Sequence, residues 1–291
     1  MSRYIIITPA HNEEAFIAKV ADSVIAQTVR PLRWIVVNDA STDRTAEIIG
    51  RHSSQHGFIR LLNVKRAEGR HFGNKVRAFN LGLLEARKMD FDFIGNLDAD
   101  ISFEATYYES ILAEFEKDPK LGLAGGMVHT RVGEAHVSQA VALDSVAGAV
   151  SLYRRACFDQ VGGYRVMPNG GEDSAAEISA RMHGWKTRTF PEHRVLEHRL
   201  TGSAVTRPLT SRMNEGRRMH SLGYGCCFFA VRCIYRALEK PRLLGSVAAL
   251  CGFLDSMVRR HPIILPPEVV RFLRSEQKGK LKRLLRLPGS A

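Results

Sequence analysis

Residues 91–100 read Phe91-Asp92-Phe93-Ile94-Gly95-Asn96-Leu97-Asp98-Ala99-Asp100. The apolar part predicts a buried strand over Phe91–Asn96, which runs directly into two carboxylates one residue apart. The same arrangement occurs twice upstream. Tyr4–Ile7 is a strand-like run that stops at Thr8-Pro9, with His11 and Asn12 just beyond it. Trp34–Val37 is another, ending on Asn38-Asp39. Ile59–Val64 reads as a further strand. Between these runs the apolar spacing is helical: Glu13–Gln27 with Phe16, Ile17, Val20, Val24 and Ile25, then Thr45–Arg51 after Ser41-Thr42-Asp43, then Gly73–Arg87. Strands alternating with helices predict an α/β fold with a mainly parallel sheet. In such sheets ligands bind in the crevice outside the carboxyl ends of the strands, where all three polar clusters fall.

Each candidate residue has a functional and an ordinary reading. Asp98 and Asp100 can hold a hard divalent cation such as Mg²⁺ or Mn²⁺ together with its phosphate ligands, or form a solvated turn. Asp39 can accept from a pyrimidine imide or a ribose hydroxyl, or make an Asx-turn, although Asp43 is the better placed cap. Lys75 and Arg77, after Gly73 at a helix start, suit a diphosphate, or are solvated helix charges. Glu172-Asp173 follows Gly170-Gly171 and opens a helix-like stretch. A carboxylate there can serve as a general base, and acids in a first helical turn also complement the helix dipole. His198, after Val195-Leu196, is either a metal ligand or a structural histidine.

The 291 residues allow about two domains at ~150 residues each. With 45% apolar and 25% charged residues, the chain is neither disordered nor fibrous. The net charge of +12 is confined to one end: residues 201–291 hold 17 Lys+Arg against 5 Asp+Glu, and residues 1–200 are balanced. A neutral body with a cationic end predicts a catalytic domain over 1–200 and a basic, mostly helical extension over 201–291 that meets something anionic. The apolar clumps Cys226–Val231 and Leu243–Leu254 and the basic, leucine-bearing Arg271–Arg286 belong to that extension. Five cysteines without a CxxC pair, and an N-terminal apolar stretch too short for a signal peptide, predict a reducing, cytoplasmic setting. No apolar run is long enough to read as a membrane span.

The motifs together resemble the family 2 glycosyltransferases. Five blocks carry the resemblance: Thr8-Pro9-Ala10-His11-Asn12-Glu13-Glu14, Val36-Val37-Asn38-Asp39-Ala40-Ser41-Thr42-Asp43-Arg44-Thr45, Gly73-Asn74-Lys75-Val76-Arg77-Ala78-Phe79-Asn80-Leu81-Gly82-Leu83, Leu97-Asp98-Ala99-Asp100, and Gly171-Glu172-Asp173 with Arg181 and Gly184-Trp185. The resemblance implies a GT-A-like, Rossmann-related fold. It implies that Thr8, Pro9 and Glu13 line a nucleotide pocket, that Asp39 binds the base (most often uracil), that Lys75 contacts the diphosphate and that Asp98 lies near the ribose or diphosphate. It further implies Asp100 as a ligand of Mn²⁺ or Mg²⁺, with His198 as a second, Asp173 as the catalytic base and Glu172 on the acceptor side. Asn38 departs from the second Asp of many relatives. The Gln-x-x-Arg-Trp motif of processive synthases is absent, so the resemblance implies transfer of a single sugar.

The expected activity is therefore an inverting, metal-dependent transfer from a nucleotide-sugar, a UDP-sugar first, to a hydroxyl on a glycan or lipid-linked acceptor. The basic end suggests peripheral association with an anionic membrane. A nucleotidyltransferase would also use paired Asp residues, but Pro9–Glu14 lacks its glycine-rich phosphate loop. A nucleic-acid-binding protein would use the basic end, but that end lacks interleaved aromatics, and no nucleic-acid partner is expected.

Overall fold

The computed structural model describes residues 2–65, 73–132, 135–138, 142–199, 208–238 and 242–285. The chain divides into two compact units, one of residues 1–166 and 172–201, the other of 167–171 and 202–291.

In the first unit the opening strands are β1 (Tyr4–Ala10), β2 (Arg33–Asp39), β3 (Ile59–Val64) and β4 (Phe93–Leu97), separated by helices α1 (Ile17–Ile25), α2 (Thr45–Gln55) and α3 (Gly73–Ala86). They pair in parallel in the order β3-β2-β1-β4, as the strand–helix alternation requires. Alternate residues of β1 face opposite sides. Tyr4 and Ile6 join one core, while Ile5 and Ile7 join the other. Trp34/Val36 and Ile35/Val37 of β2 do the same, so both faces of the sheet are covered. Gly82 lets α3 lie close on the sheet: a Cβ there would stand 2.7 Å from Ile7 Cγ2.

The unit continues through β5 (Ile101–Phe103), α4 (Tyr107–Lys117), β6 (Leu121–Val132), β7 (Ala135–Ser138), β8 (Val150–Arg154), α5 (Arg155–Val161), α6 (Glu172–Met182) and β9 (Lys186–Glu197). The sheet order extends as β4-β8-β6-β9-β5, with β7 on β6. Strand β8 runs against both its neighbours, and β6 and β9 are parallel. The linkage at the paired carboxylates dictates the shape. Leu97 to Ile101 spans at most about 14 Å of extended chain. Four strand spacings in a flat sheet separate β4 from β5, about 19 Å. The sheet therefore curls, and Asp98-Ala99-Asp100 bridges its middle and its edge.

The second unit holds helices α7 (Pro208–Ser221), α8 (Cys226–Tyr235), α9 (Leu244–Val258) and α10 (Pro267–Leu285). Its core includes Met219, Leu222, Phe229, Phe253 and Leu273. No helix among the described residues is long and apolar enough to cross a membrane.

Candidate active site

Strands β1, β2 and β4 end on one rim because they are parallel and in register, with Ala10 beside Asn38 and Ile7 beside Asn96. Strand β8 enters from that rim, since Val150 pairs with Leu97. The end of β9 arrives there too, with Glu197 opposite Ile101.

Lys75 stands at the centre. It lies in the first turn of α3, and its Nζ is 2.7 and 2.9 Å from the two carboxylate oxygens of Asp98. Asn96 Nδ2 donates to Asp98 Oδ1 (3.1 Å) and to the Gly148 carbonyl (2.5 Å), and the Asp98 N–H donates to the Ala149 carbonyl (2.8 Å). Burial pulls the Lys75 ammonium down, but Asp98, Glu172 and Asp173 together hold it above its ordinary value. The acids that open α6 thus share an electrostatic centre with the DxD pair across more than 70 residues of sequence. Lys75, Asn96, Gly148, Tyr164, Glu172 and Asp173 line one cleft. Burial raises the Glu172 carboxyl against the pull of Lys75. Asp173 Oδ1 accepts from the Ser174 N–H at 2.7 Å. Its other oxygen rests on Gly148, where an added Cβ would lie 2.5 Å away.

A second focus surrounds Asp100. Arg199, just past β9, donates from Nε to Asp100 Oδ2 (3.1 Å) and from Nη2 to Glu13, with its guanidinium 5.2 Å over the Phe16 ring. Burial, opposed by Arg199 and reinforced by Asp100 and Asp98, pushes the Glu13 carboxyl up to about 7. Burial and the neighbouring Asp98 raise Asp100 as well. The carboxylates of Glu13, Asp98, Asp100 and Glu197 thus act on one another around the single guanidinium of Arg199, and oxygen donors of this kind suit a hard divalent cation. Among the described residues no three His, Cys, Asp or Glu side chains converge to enclose an ion, so phosphate oxygens would have to complete its shell. His198 meets Asp100 through its backbone N–H (2.9 Å), while its Nε2 lies 2.8 Å from Ser102 Oγ and its ring stacks on Phe16.

At the end of β2, Asp39 closes the strand and its carbonyl lies 2.7 Å from His11 Nδ1. Asn38, the departure noted above, pairs with Asn63 on β3 (2.8 Å) and accepts from the Ser41 N–H (3.2 Å). Asp43 braces the loop by accepting from the Thr45 and Glu14 N–H groups, both at 3.0 Å. Pro9 is half-buried near the end of β1. Thr8 differs from expectation: its side chain is fully buried and its hydroxyl accepts from Trp34 Nε1 (2.9 Å), so it builds the core and not the rim.

The family model for glycosyl transferase family 2 matches residues 5–167, more than half of the chain. This chain belongs to glycosyl transferase family 2. Among curated relatives, the poly-β-1,6-N-acetyl-D-glucosamine synthase of Staphylococcus aureus (strain COL) is 26% identical over 202 residues, covering 62% of this chain and 46% of that protein. The chain spans less than half the length of that relative. Among solved structures, the mannosyltransferase PcManGT from Pyrobaculum calidifontis, in complex with GDP-Man and Mn²⁺, aligns over 98% of this chain and 81% of its own, with a TM-score of 0.56 and 17% identity. S. aureus TarS 1–349 in complex with UDP-GlcNAc aligns over 88% of this chain and 73% of its own, with a TM-score of 0.55 and 16% identity. These likenesses show the shared GT-A fold.

In this family 2 glycosyltransferase, Arg199, Gly148 and Glu177 also shape the site although no motif marks them. Arg199 follows His198 directly, and the only signal for it is that an acidic cluster needs a cation. Gly148 sits in a loop without a motif. Glu177, one turn after Asp173, is buried. Its Oε2 accepts from Ser145 Oγ (2.8 Å) and the Val146 N–H (3.0 Å), and Arg181 pairs with its Oε1. It thereby ties α6 to the segment that carries Gly148.

Proposed function

We propose that the protein transfers one sugar from a nucleotide-sugar, a UDP-sugar first, to an acceptor hydroxyl with inversion at the anomeric carbon. The observation that carries this reading is Lys75, bonded to Asp98 and held in the field of Glu172 and Asp173. The donor's diphosphate and the acceptor's proton would meet around one ammonium. The rim at Pro9, Glu13 and Asp39 receives the nucleotide, with the Asp39 carboxylate as acceptor for the base. Lys75 offsets the charge that develops on the departing diphosphate. Mn²⁺ or Mg²⁺, held by Asp100 with His198 as a second ligand and phosphate oxygens completing the shell, would supply Lewis-acid neutralisation of that same charge, while Asp98 lies beside the diphosphate. Asp173, backed by Gly148, takes the proton of the acceptor hydroxyl, and the oxygen attacks from the face opposite the diphosphate. General-base assistance of this kind is worth ~10²–10⁴ in rate. Glu172 faces the acceptor side. The acceptor class is a glycan or lipid-linked glycan precursor, a reading supported by relatives whose names are those of polysaccharide synthases.

A thermal-shift panel with UDP, GDP, dTDP and CDP, each with and without Mn²⁺, tests the donor half. The expected result is a Mn²⁺-dependent rise in Tm with one nucleotide, strongest with UDP, that is lost in Asp100→Ala. A flat panel would refute it.

A further inference from the structure

Helix α9 carries one charged residue, Asp255, in its 15 residues and is otherwise apolar or small. A helix that is apolar all round needs cover on every side. Its inner face, Ala249, Gly252 and Phe253, is used against α7, where Gly216 abuts Ala249 and Phe253, and Gly252 abuts Met213. Among the described residues nothing covers its outer face at Leu244, Val247, Cys251 and Val258, and Leu254 between them is half-buried. Leu244, Val247, Cys251, Leu254 and Val258 recur at steps of three and four, a strip about 21 Å long. Leu244 is 66% exposed and Val258 77%.

Helix α8 repeats the pattern. It packs antiparallel to α9: Phe229 stacks on Phe253 (4.8 Å), while Cys233, further along α8, and Arg236, its C-cap, share a pocket with Gly245 and Ser246 at the start of α9. Cys227, Val231 and Ile234 form its outer strip, which continues to Leu238, 84% exposed. Arg232 and Arg236 are turned inward to Glu215, which also takes Arg212 at 2.9 Å, so the helices are joined by ion pairs while leucine, isoleucine and valine face water. Exposed arginines flank the α9 strip, Arg242 at its start and Arg259 and Arg260 at its end.

We infer that the outer face of the α8–α9 hairpin is a docking surface for an anionic phospholipid membrane. Two adjacent apolar strips, too short to span, would bury side chains at the level of the acyl boundary, with arginines at headgroup depth. Charge complementarity selects this occupant. Residues 201–291 carry 17 basic against 5 acidic side chains, so a second copy of the chain would bring like charge to the face, whereas an anionic leaflet brings opposite charge. This inference goes beyond sugar transfer and stands or falls without it.

The test is flotation of the full chain with vesicles of phosphatidylcholine alone and with added phosphatidylglycerol, at low and moderate salt. The expected result is binding to the phosphatidylglycerol vesicles that partly survives moderate salt, since buried apolar surface is not screened. In the double variant Leu244→Glu and Val247→Glu, binding falls about tenfold or more while the UDP-induced thermal shift is unchanged. Leu238→Trp, a substitution at an open position, provides a second readout: its indole emission is quenched by brominated lipid. Absence of binding to phosphatidylglycerol vesicles would overturn the inference. So would undiminished binding by the Glu variant without quenching in L238W, which would mark simple charge attraction. A dimer by light scattering that the Glu variant dissociates, without vesicle binding, would instead assign the face to a second copy.

Discussion

Replacing Gly148 by alanine tests whether Asp173 acts by position. Gly148 has no left-handed backbone angle, so alanine imposes no strain of its own. The new Cβ would stand 2.5 Å from Asp173 Oδ2, 2.9 Å from its Cβ and 3.0 Å from its Cγ. Relaxed contact lies near 3.5 Å, so the carboxylate must retreat by about 1 Å. A misplacement of that size costs about 10²-fold in a reaction that depends on a near-attack geometry. The assay is release of nucleoside diphosphate from the donor found in the nucleotide panel, with donor affinity by calorimetry and Tm as controls. The expected result is a rate lower by about 10²-fold, with affinity within a factor of about two and Tm shifted by only a few degrees. A parental rate in Gly148→Ala would refute the placement of Asp173 at the reacting oxygen.

Other perturbations read the remaining charges. Lys75→Met leaves Asp98, Glu172 and Asp173 without their common cation. Donor affinity should fall at least about tenfold, and stability by about 1–2 kcal/mol in urea titrations, since the pair is partly solvated. Unchanged donor affinity would refute the proposed contact of Lys75 with the donor's diphosphate. Glu13 has its carboxyl raised from 4.5 to about 7 in the folded protein. A raised value means that the contribution is fully present below pH 4.5 and is lost as pH climbs through about 7, up to about 3 kcal/mol. Urea titrations at mildly acidic and mildly alkaline pH should show that loss in the parent and a flatter profile in Glu13→Gln. Identical profiles would refute the assignment. Asp100→Ala should abolish the Mn²⁺ dependence of donor binding measured by calorimetry, and retention of that dependence would place the cation elsewhere.

The rim was legible because it depends on patterns a linear chain displays. Parallel strands must end together, so Asp39 and Asp98 could be placed on one edge from their strands alone. Strand direction beyond β4 was not legible. Nothing in Val150–Arg154 distinguishes an antiparallel insertion from another parallel strand, yet that direction brings Gly148 and Ala149 to the active rim. Strand β9 runs from Lys186 to Glu197 as one strand although its apolar pattern is interrupted, because residues 191–193 bulge where the register jumps between Gly126–Phe190 and Met127–Arg194. Helix α1 starts at Ile17 and not at Glu13: Asn12 adopts a φ of 56°, and the turn that follows leaves the Glu13 side chain to Arg199. Arg199 itself follows from electrostatic need rather than motif. Thr8 shows the converse limit, since a polar residue at a strand end reads as rim until Trp34 is seen to take its hydroxyl inward.

The proposed transfer turns on Asp173 as the base that accepts the acceptor's proton. The most direct measurement is the rate of sugar transfer by Asp173→Asn alongside its donor affinity. The substitution keeps shape and the Ser174 hydrogen bond but removes the basic oxygen. The expected result is parental donor binding, with transfer reduced by ~10²–10⁴. Transfer at the parental rate would contradict it.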